Sequence, residues 1–312
     1  MFTLQDVVLE EDFMRFFIAA VLLLPMTTAS VLGQEPRNES AKAQVCKNTG
    51  KFESSCNPFS KAAVAHAVDN TCAITGDATT DGDKAQDRLK NNLCANGSAR
   101  AITMKELTAL QNSVDATGVN YGNEHEGKGG GPPADRSTLF TKLPAGSAKE
   151  GDLVSFVGYI VEVKPGSSET VDCHCTETDA IDVHIAVADH LLDLQTAPAN
   201  ATKEQKHEIT VKNDAQLCTN SLVVETIPHK RPAALEQQAI EPLRDKKIVK
   251  ITGPLLFDAS HKPCHGTTPG TGDPARVTVF EIHPVYDIAV CSQSAMTQCT
   301  ADSNNWKSVL QK

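Results

Sequence analysis

The chain has 312 residues, and its 39 acidic against 29 basic side chains leave a formal charge of −10. That is the wrong sign for a nucleic-acid binder, which shows a basic footprint. Aromatic residues make up 4% of the chain, too few to suggest a stacking platform for sugars or bases.

The first 33 residues read as a targeting segment. Met14 and Arg15 precede an apolar run, Phe16 to Leu24, and then small residues ending in Val31-Leu32-Gly33. That is the layout of a secretory signal peptide cleaved after Gly33, with Met14 the expected start. The run falls short of the roughly 20 residues a spanning helix needs, and no later segment reaches that length. The mature chain loses four acids and one base with the leader, giving −7. It is expected to be exported, periplasmic or extracellular, without a membrane span.

Residues 34–146 read as a Cys-bearing region of short helices and loops. In "NPFSKAAVAHAV" Ser60 is placed to cap an alanine-rich helical turn. "DKAQDRLKNNLC" repeats apolar side chains at Ala85, Leu89 and Leu93. "TMKELTALQNSV" has Thr103 and Glu106 at capping-box spacing, with Leu107, Leu110 and Val114 on one face. Helices this short need staples, and Cys72 and Cys94, flanking the middle one, are expected to pair. Two motif matches fail on their chemistry. A calcium loop from Asp77 would place Arg88 where the bidentate glutamate belongs. "GKGGGPP" offers Lys128 but no following Ser or Thr, so it is a joining loop and not a phosphate cradle.

From Asp152 the pattern changes to strands: "DLVSFVGYIVEVKPG", "AIDVHIAVADH", "SLVVETIPH", "KKIVKITGPLLFDASH" and "ARVTVFEIHPVYDIAVC". "RPAALEQQAIEPL", between the third and fourth, repeats Leu235, Ala239 and Leu243 at helical spacing. The expected fold is mainly β: a five-stranded OB-type barrel over 147–291 with one helix between strands three and four. The disulfide-stapled helical region precedes it. A tail, 292–312, holds a short helix in "SNNWKSVLQK".

All ten cysteines follow the leader, and an even number in an exported chain reads as disulfides. "CHC" (Cys173 to Cys175) and "HKPCH" (His261 to His265) lack the C-x₂-C partner of a thiolate zinc site. Each of the last four strands carries an acid near a histidine: Asp182 with His184, Glu225 with His229, Asp258 with His261, Glu281 with His283. An OB-type order would gather Asp182, His184, Glu225, Glu281 and His283 on one outer patch. Such pairs tie strands together by hydrogen bonds, form a ligand site, or orient imidazoles for metal or acid–base work. His184 and His283 with Glu225 would suit zinc with an open position. His229-Lys230-Arg231 could take a phosphate or carboxylate, with a solvated loop as the plainer reading. There is no G-x-S-x-G and no H-E-x-x-H; His125-Glu126 stands alone.

The motifs D-x-H-I, E-x-x-P-H-x-R-P, F-D-A-S-H-x-P-C and E-I-H-P-V, taken together over about 150–291, resemble a group of exported bacterial proteins of unknown function built on a single OB-type barrel. The resemblance implies that Asp182, His184, Glu225, His229, Arg231, Asp258, His261, Glu281 and His283 belong to a shared pattern. It also implies that Cys264 pairs with Cys291, leaving Cys218 to Cys173 or Cys175 and Cys299 to the other. Phe280, where the group carries Trp, and the "CHC" depart from the pattern. The resemblance supplies a fold and no activity.

The reading taken is an exported OB-type binding or interaction module for an unknown ligand or envelope partner. Its candidate ligand patch is Asp182, His184, Glu225, His229, Arg231, Glu281 and His283, with no cofactor beyond a possible zinc. Glu281 and His283 are expected to organise the barrel. The alternatives are a metal-assisted hydrolase of phosphodiester type using His184, Glu225 and His283, or a purely structural envelope protein.

Overall fold

The computed structural model describes residues 46–122 and 130–311. The segment read as a signal peptide, His125-Glu126 and Lys128 lie outside the described residues. The strands are β1 (Arg100–Ala101), β2 (Leu153–Pro165), β3 (Val183–Ala188), β4 (Ser221–Thr226), β5 (Ile248–Phe257), β6 (Phe280–Ile282), β7 (Asp287–Cys291) and β8 (Trp306–Ser308). The helices are α1 (Asp81–Lys90), α2 (Met104–Asp115), α3 (Lys203–Asn220) and α4 (Gln237–Ile240), the last flanked by 3₁₀ turns at Ala233–Leu235 and Glu241–Leu243.

Five strands close a barrel in the order β2-β3-β4-β6-β5 and back to β2, as the sequence pattern predicts. Closure depends on the length of β2. Its first half, Leu153 to Tyr159, pairs with β5, and its second half, Tyr159 to Pro165, pairs with β3. The strand turns the corner at a register shift between Ile160 and Glu162, the place where a bulge bends a barrel strand. β4 and β6 run parallel and the other four pairings are antiparallel. Gly253 admits the Pro284 carbonyl, which would lie 2.3 Å from a Cβ there.

Side chains alternate across the barrel wall. Phe156, Ile185, Val224, Ile251 and Phe280 fill the interior, and the segment before the barrel adds Phe52, Leu107, Leu110 and Leu139 to the same core. α2 is as predicted: Thr103 caps it by accepting from the Glu106 N–H, and Leu107, Leu110 and Val114 are buried. α1 forms where expected but with its faces exchanged. It buries Gln86, Asp87 and Lys90, while Ala85 and Leu89 are only partly covered.

Several expectations are corrected. "NPFSKAAVAHAV" makes 3₁₀ turns at Ser60–Ala62 and Ala67–Asn70 instead of a helix, and Ser60 lies inside the first turn with a φ of 53°. The tail forms a 3₁₀ turn at Met296–Gln298, then β8, paired with β7, and a second 3₁₀ turn at Val309–Gln311, with no α-helix in the described residues of "SNNWKSVLQK". The 18-residue α3, opened by a Thr202/Gln205 capping box, was not anticipated; its hydrophobic content is too low to register as an amphipathic stripe.

The five disulfides are Cys46–Cys175, Cys56–Cys94, Cys72–Cys173, Cys218–Cys264 and Cys291–Cys299, with no free thiol. Cys72 therefore does not pair with Cys94, nor Cys264 with Cys291. Both expected pairs follow proximity along the chain or the strand order. Two of the actual pairs tie loop 166–182 to the N-terminal region through Cys173 and Cys175, so neither of these cysteines is left for Cys218, which takes Cys264, and Cys299 takes Cys291. Five disulfides fit an oxidising compartment. Among the described residues, no helix is long and apolar enough to cross a membrane.

Candidate metal centre

β3 and β4 set His184 directly opposite Glu225, and β6 delivers Glu281 with His283 just beyond it. Along these strands the three positions alternate with the interior residues Ile185, Val224, Phe280 and Ile282. They therefore occupy the outer wall of the barrel, where exposed polar groups need no explanation. Here the wall is covered: α1 and loop 166–182 lie over it, tied by Lys90 Nζ to Glu169 Oε2 (2.8 Å) and by Gln86 Nε2 to Asp258 Oδ1 (2.8 Å). Asp182, His184, Glu225, Glu281 and His283 are each at most 5% exposed.

Donor atoms of Asp182, Glu225 and His283 lie within 4.8 Å of one another. Each imidazole is held through its Nδ1. His184 Nδ1 donates to the Asp273 carbonyl (2.7 Å), which leaves the Nε2 lone pair 3.4 Å from Glu225 Oε1. His283 Nδ1 meets Glu225 Oε2 (3.2 Å) and Glu281 Oε2 (3.4 Å), so its Nε2 lone pair faces Asp182 Oδ2 at 3.7 Å. Both Nε2 atoms, both Asp182 oxygens and Glu225 Oε2 are buried without a hydrogen-bond partner. Electron-pair donors facing each other out of water repel unless a proton or a cation lies between them. A backbone carbonyl or a carboxylate behind each Nδ1 is the outer support that metal-binding histidines have.

The electrostatics pull in two directions, favouring a proton on Asp182 and a neutral ring on His283. Burial, then Glu225, hold the Asp182 carboxyl well above its usual range. Burial opposes ionisation of Glu225 too, but His184, His283 and Lys90 outweigh it and keep the carboxylate low. Burial pushes His283 down to about 4 against the pull of Glu225, so its ring is neutral near neutral pH, as ligation requires. Lys90 stays charged because Glu169, Asp258 and Glu225 overcome its desolvation. Asp87, Asp172, Asp182, Glu225, Asp258 and Glu281 are buried in this region, with Lys90 paired to Glu169 and Arg276 to Glu281 through its Nη1. Burial raises Asp87 and Asp172 as well as Asp182, so three of the six carboxyls hold their protons more tightly than usual.

One consequence is measurable without any ligand. Burial raises Asp172 from 3.8 to about 8. The folded chain therefore keeps this proton where the unfolded chain has lost it. The stabilising contribution is complete below about pH 4 and disappears as pH rises through 8. Asp172→Asn keeps an acceptor for the Glu169 N–H that now bonds Oδ1 (3.0 Å). The variant is expected to match the wild type in urea unfolding at pH 4 and to exceed it by about 5 kcal/mol at pH 8 if the whole displacement is expressed.

The structure divides the predicted patch. Asp182, His184, Glu225, Glu281 and His283 come together. His229 and Arg231 do not join them. His229 stacks on Phe52 with centroids 3.9 Å apart and bonds Asp69 (3.0 Å). Arg231 is fully buried, on the Ile181 carbonyl (2.8 Å) and Glu236 (2.9 Å). The expected basic spot is thus packing, with no guanidinium left for an anion. Asp258 and His261 pair with each other beside the centre, and His261, with His184 and Glu169, lines a cleft of about 530 Å³. Lys90, Glu169, Asp172 and Arg276 were missed. A lysine on a short helix and acids in a loop look solvated in sequence.

No family model, curated protein or solved structure matches the chain.

Proposed function

We propose that the protein is an OB-type binding module of an oxidising compartment whose ligand is one divalent transition-metal ion, held by Asp182, Glu225 and His283 with His184 beside them. The observation that carries this is the convergence of three buried donor residues whose facing atoms have no other partner. With every cysteine in a disulfide, the donors are imidazole and carboxylate, a set that suits zinc, manganese, iron(II) or cobalt(II) and not copper(I). On this reading Glu281 and His283 divide the labour. Glu281 orients, and His283 ligates. The phosphodiester alternative finds little support in the cleft, whose lining has no lysine or arginine.

The test is zinc titration of metal-stripped, oxidised protein, wild type beside Asp182→Asn and His283→Ala, by calorimetry and thermal melting. The wild type is expected to bind one equivalent and to melt higher with it. A hundredfold excess over Kd adds about 2.7 kcal/mol. Each variant is expected to bind at least about 100-fold more weakly, since even outer-support losses cost 10- to 100-fold. Substoichiometric zinc in the wild type, with the variants merely less stable, would leave a structural histidine network and sink the metal reading.

A further inference from the structure

The three donor residues differ in what holds them. Glu225 lies within β4, and His283, just past β6, has its N–H on the Pro254 carbonyl (3.0 Å). Asp182 precedes β3 and is the last residue of loop 166–182. The two residues before it, Ala180 and Ile181, are buried in one cluster with Cys72, Cys173 and Cys175, and Cys46 packs against that cluster. The position of Asp182 therefore depends on two disulfides, Cys46–Cys175 and Cys72–Cys173, which fasten the loop to the segment before the barrel.

Of the two, Cys46–Cys175 lies nearer Asp182 along the chain. With it open, Cys72 still holds Cys173, while residues 174–181 lose their disulfide. It is also the pair that a reagent reaches, because Cys46 is partly exposed whereas Cys72, Cys173 and Cys175 are 0% exposed. The turn that carries both loop half-cystines is left-handed at two successive non-glycine residues, Cys173 (φ 56°) and His174 (φ 53°). Such a conformation persists only where its surroundings impose it, so cutting one of its bonds lets the turn relax. The metal centre has no such opening. Both Asp182 oxygens, Glu225 Oε2 and His283 Nε2 are shut off from solvent. An ion among them leaves only when a holding segment moves, and loop 166–182 is the one whose hold a reagent can cut.

Resting on the metal reading above, we infer that Cys46–Cys175 is a thiol-reactive catch on the metal centre. A thiol that opens it releases the ion, and an ion in place shields it from thiols. The reductant's thiolate attacks Cys46 Sγ, the sulfur–sulfur bond breaks, and Cys175 leaves as a thiolate that takes up a proton. A second thiol displaces the first from Cys46. Two thiols are thereby oxidised to one disulfide, the protein gains two thiol groups, and the ion departs with its charge unchanged. Arg231 keeps its bond to the Ile181 carbonyl (2.8 Å), so the loop slackens without coming away from the barrel. Shielding is the reverse of the same coupling, since a ligand that binds only the closed form lowers the open fraction.

Cys218–Cys264 supplies a matched control. It too joins a buried cysteine to a partly exposed one, but it lies in a different cluster from the catch. Oxidised wild type and Asp182→Asn, each with and without saturating zinc, are incubated with reduced glutathione. Thiols are then alkylated with iodoacetamide, the state of every cysteine is read by peptide mass, and the zinc retained after desalting is measured. Without zinc, glutathione is expected on Cys46 and the alkyl group on Cys175, at least tenfold faster than Cys72 and Cys173 react. Zinc should slow this at least tenfold in the wild type and leave it unchanged in Asp182→Asn, with Cys218–Cys264 unaffected in both. Zinc should be lost in step with alkylation of Cys175. Bound zinc that leaves the catch unshielded would overturn the inference and leave the metal reading standing. So would equal slowing of Cys218–Cys264, which marks general stabilisation, or zinc retained after Cys175 is alkylated. A wild type that takes up no zinc removes both readings. If Asp182→Asn fails to fold, the comparison with Cys218–Cys264 in the wild type decides.

Discussion

Arg276→Ala is expected to lower the unfolding free energy by about 3–5 kcal/mol, the range for removing one partner of a buried ion pair. Arg276 and Glu281 are at most 1% exposed, and Arg276 Nη1 donates to Glu281 Oε1. Without the guanidinium, Glu281 remains charged beneath the cover with only His283 within reach. The contrast that identifies the cause is the double replacement Arg276→Met/Glu281→Leu. It removes both charges at similar volume and should recover most of the loss, because a buried pair rarely exceeds its apolar equivalent in net stability. Urea midpoints at constant m-value read the effect. The two arms also separate roles. The double variant keeps the fold while stripping His283 of its orienting carboxylate, so its zinc affinity should fall although its stability does not. A single variant costing under about 1 kcal/mol would show that Glu281 finds another partner or protonates.

Removing Cys72–Cys173 by serine replacement should cost about 4–5 kcal/mol, against about 2–3 for Cys291–Cys299, if chain entropy sets the scale. The first pair is separated by 101 residues and the second by 8, and the entropy of the unfolded chain rises with the logarithm of the closed loop. Position adds to length. Cys173 and Cys175 clamp the loop that carries Gly166, Glu169, Asp172 and, at its end, Asp182. Their loss should weaken metal binding as well as stability, whereas loss of Cys291–Cys299, at the β7–β8 hairpin, should leave metal binding unchanged. Equal effects of the two pairs on both readouts would show that the clamp is only a staple.

The barrel was legible because its signal is local. Ile185 and Val187 alternate with His184 and Ala186, and Gly253-Pro254 marks a close approach that the Pro284 carbonyl fills. The five-residue cluster was legible for the same reason, since period-2 alternation plus the order of an OB-type barrel puts His184, Glu225 and Glu281 on one face. Its burial was not. Nothing in "DGDKAQDRLK" announces that Gln86, Asp87 and Lys90 face inward, because hydrophobic periodicity tracks apolar groups and this interface is polar. The disulfides escaped for a different reason: Cys46–Cys175 and Cys72–Cys173 join segments more than 100 residues apart, and connectivity of that kind has no local signature.

The covering segment precedes in the chain the barrel that it covers. Phe52, Leu107 and Leu139 share one core with Phe257, Phe280 and Ile282, so in chain order the apolar surface of the first segment appears well over a hundred residues before its partners. The closing contacts are equally late: β4 meets β6 in parallel, Val224 beside Ile282, and β2 meets β5 across about a hundred residues. Non-local pairings of this kind make folding slow, and an unclosed barrel leaves strand edges and hydrophobic surface open to other chains. The molecule is thus most open to self-association before the barrel closes, while its strand edges are still unpaired.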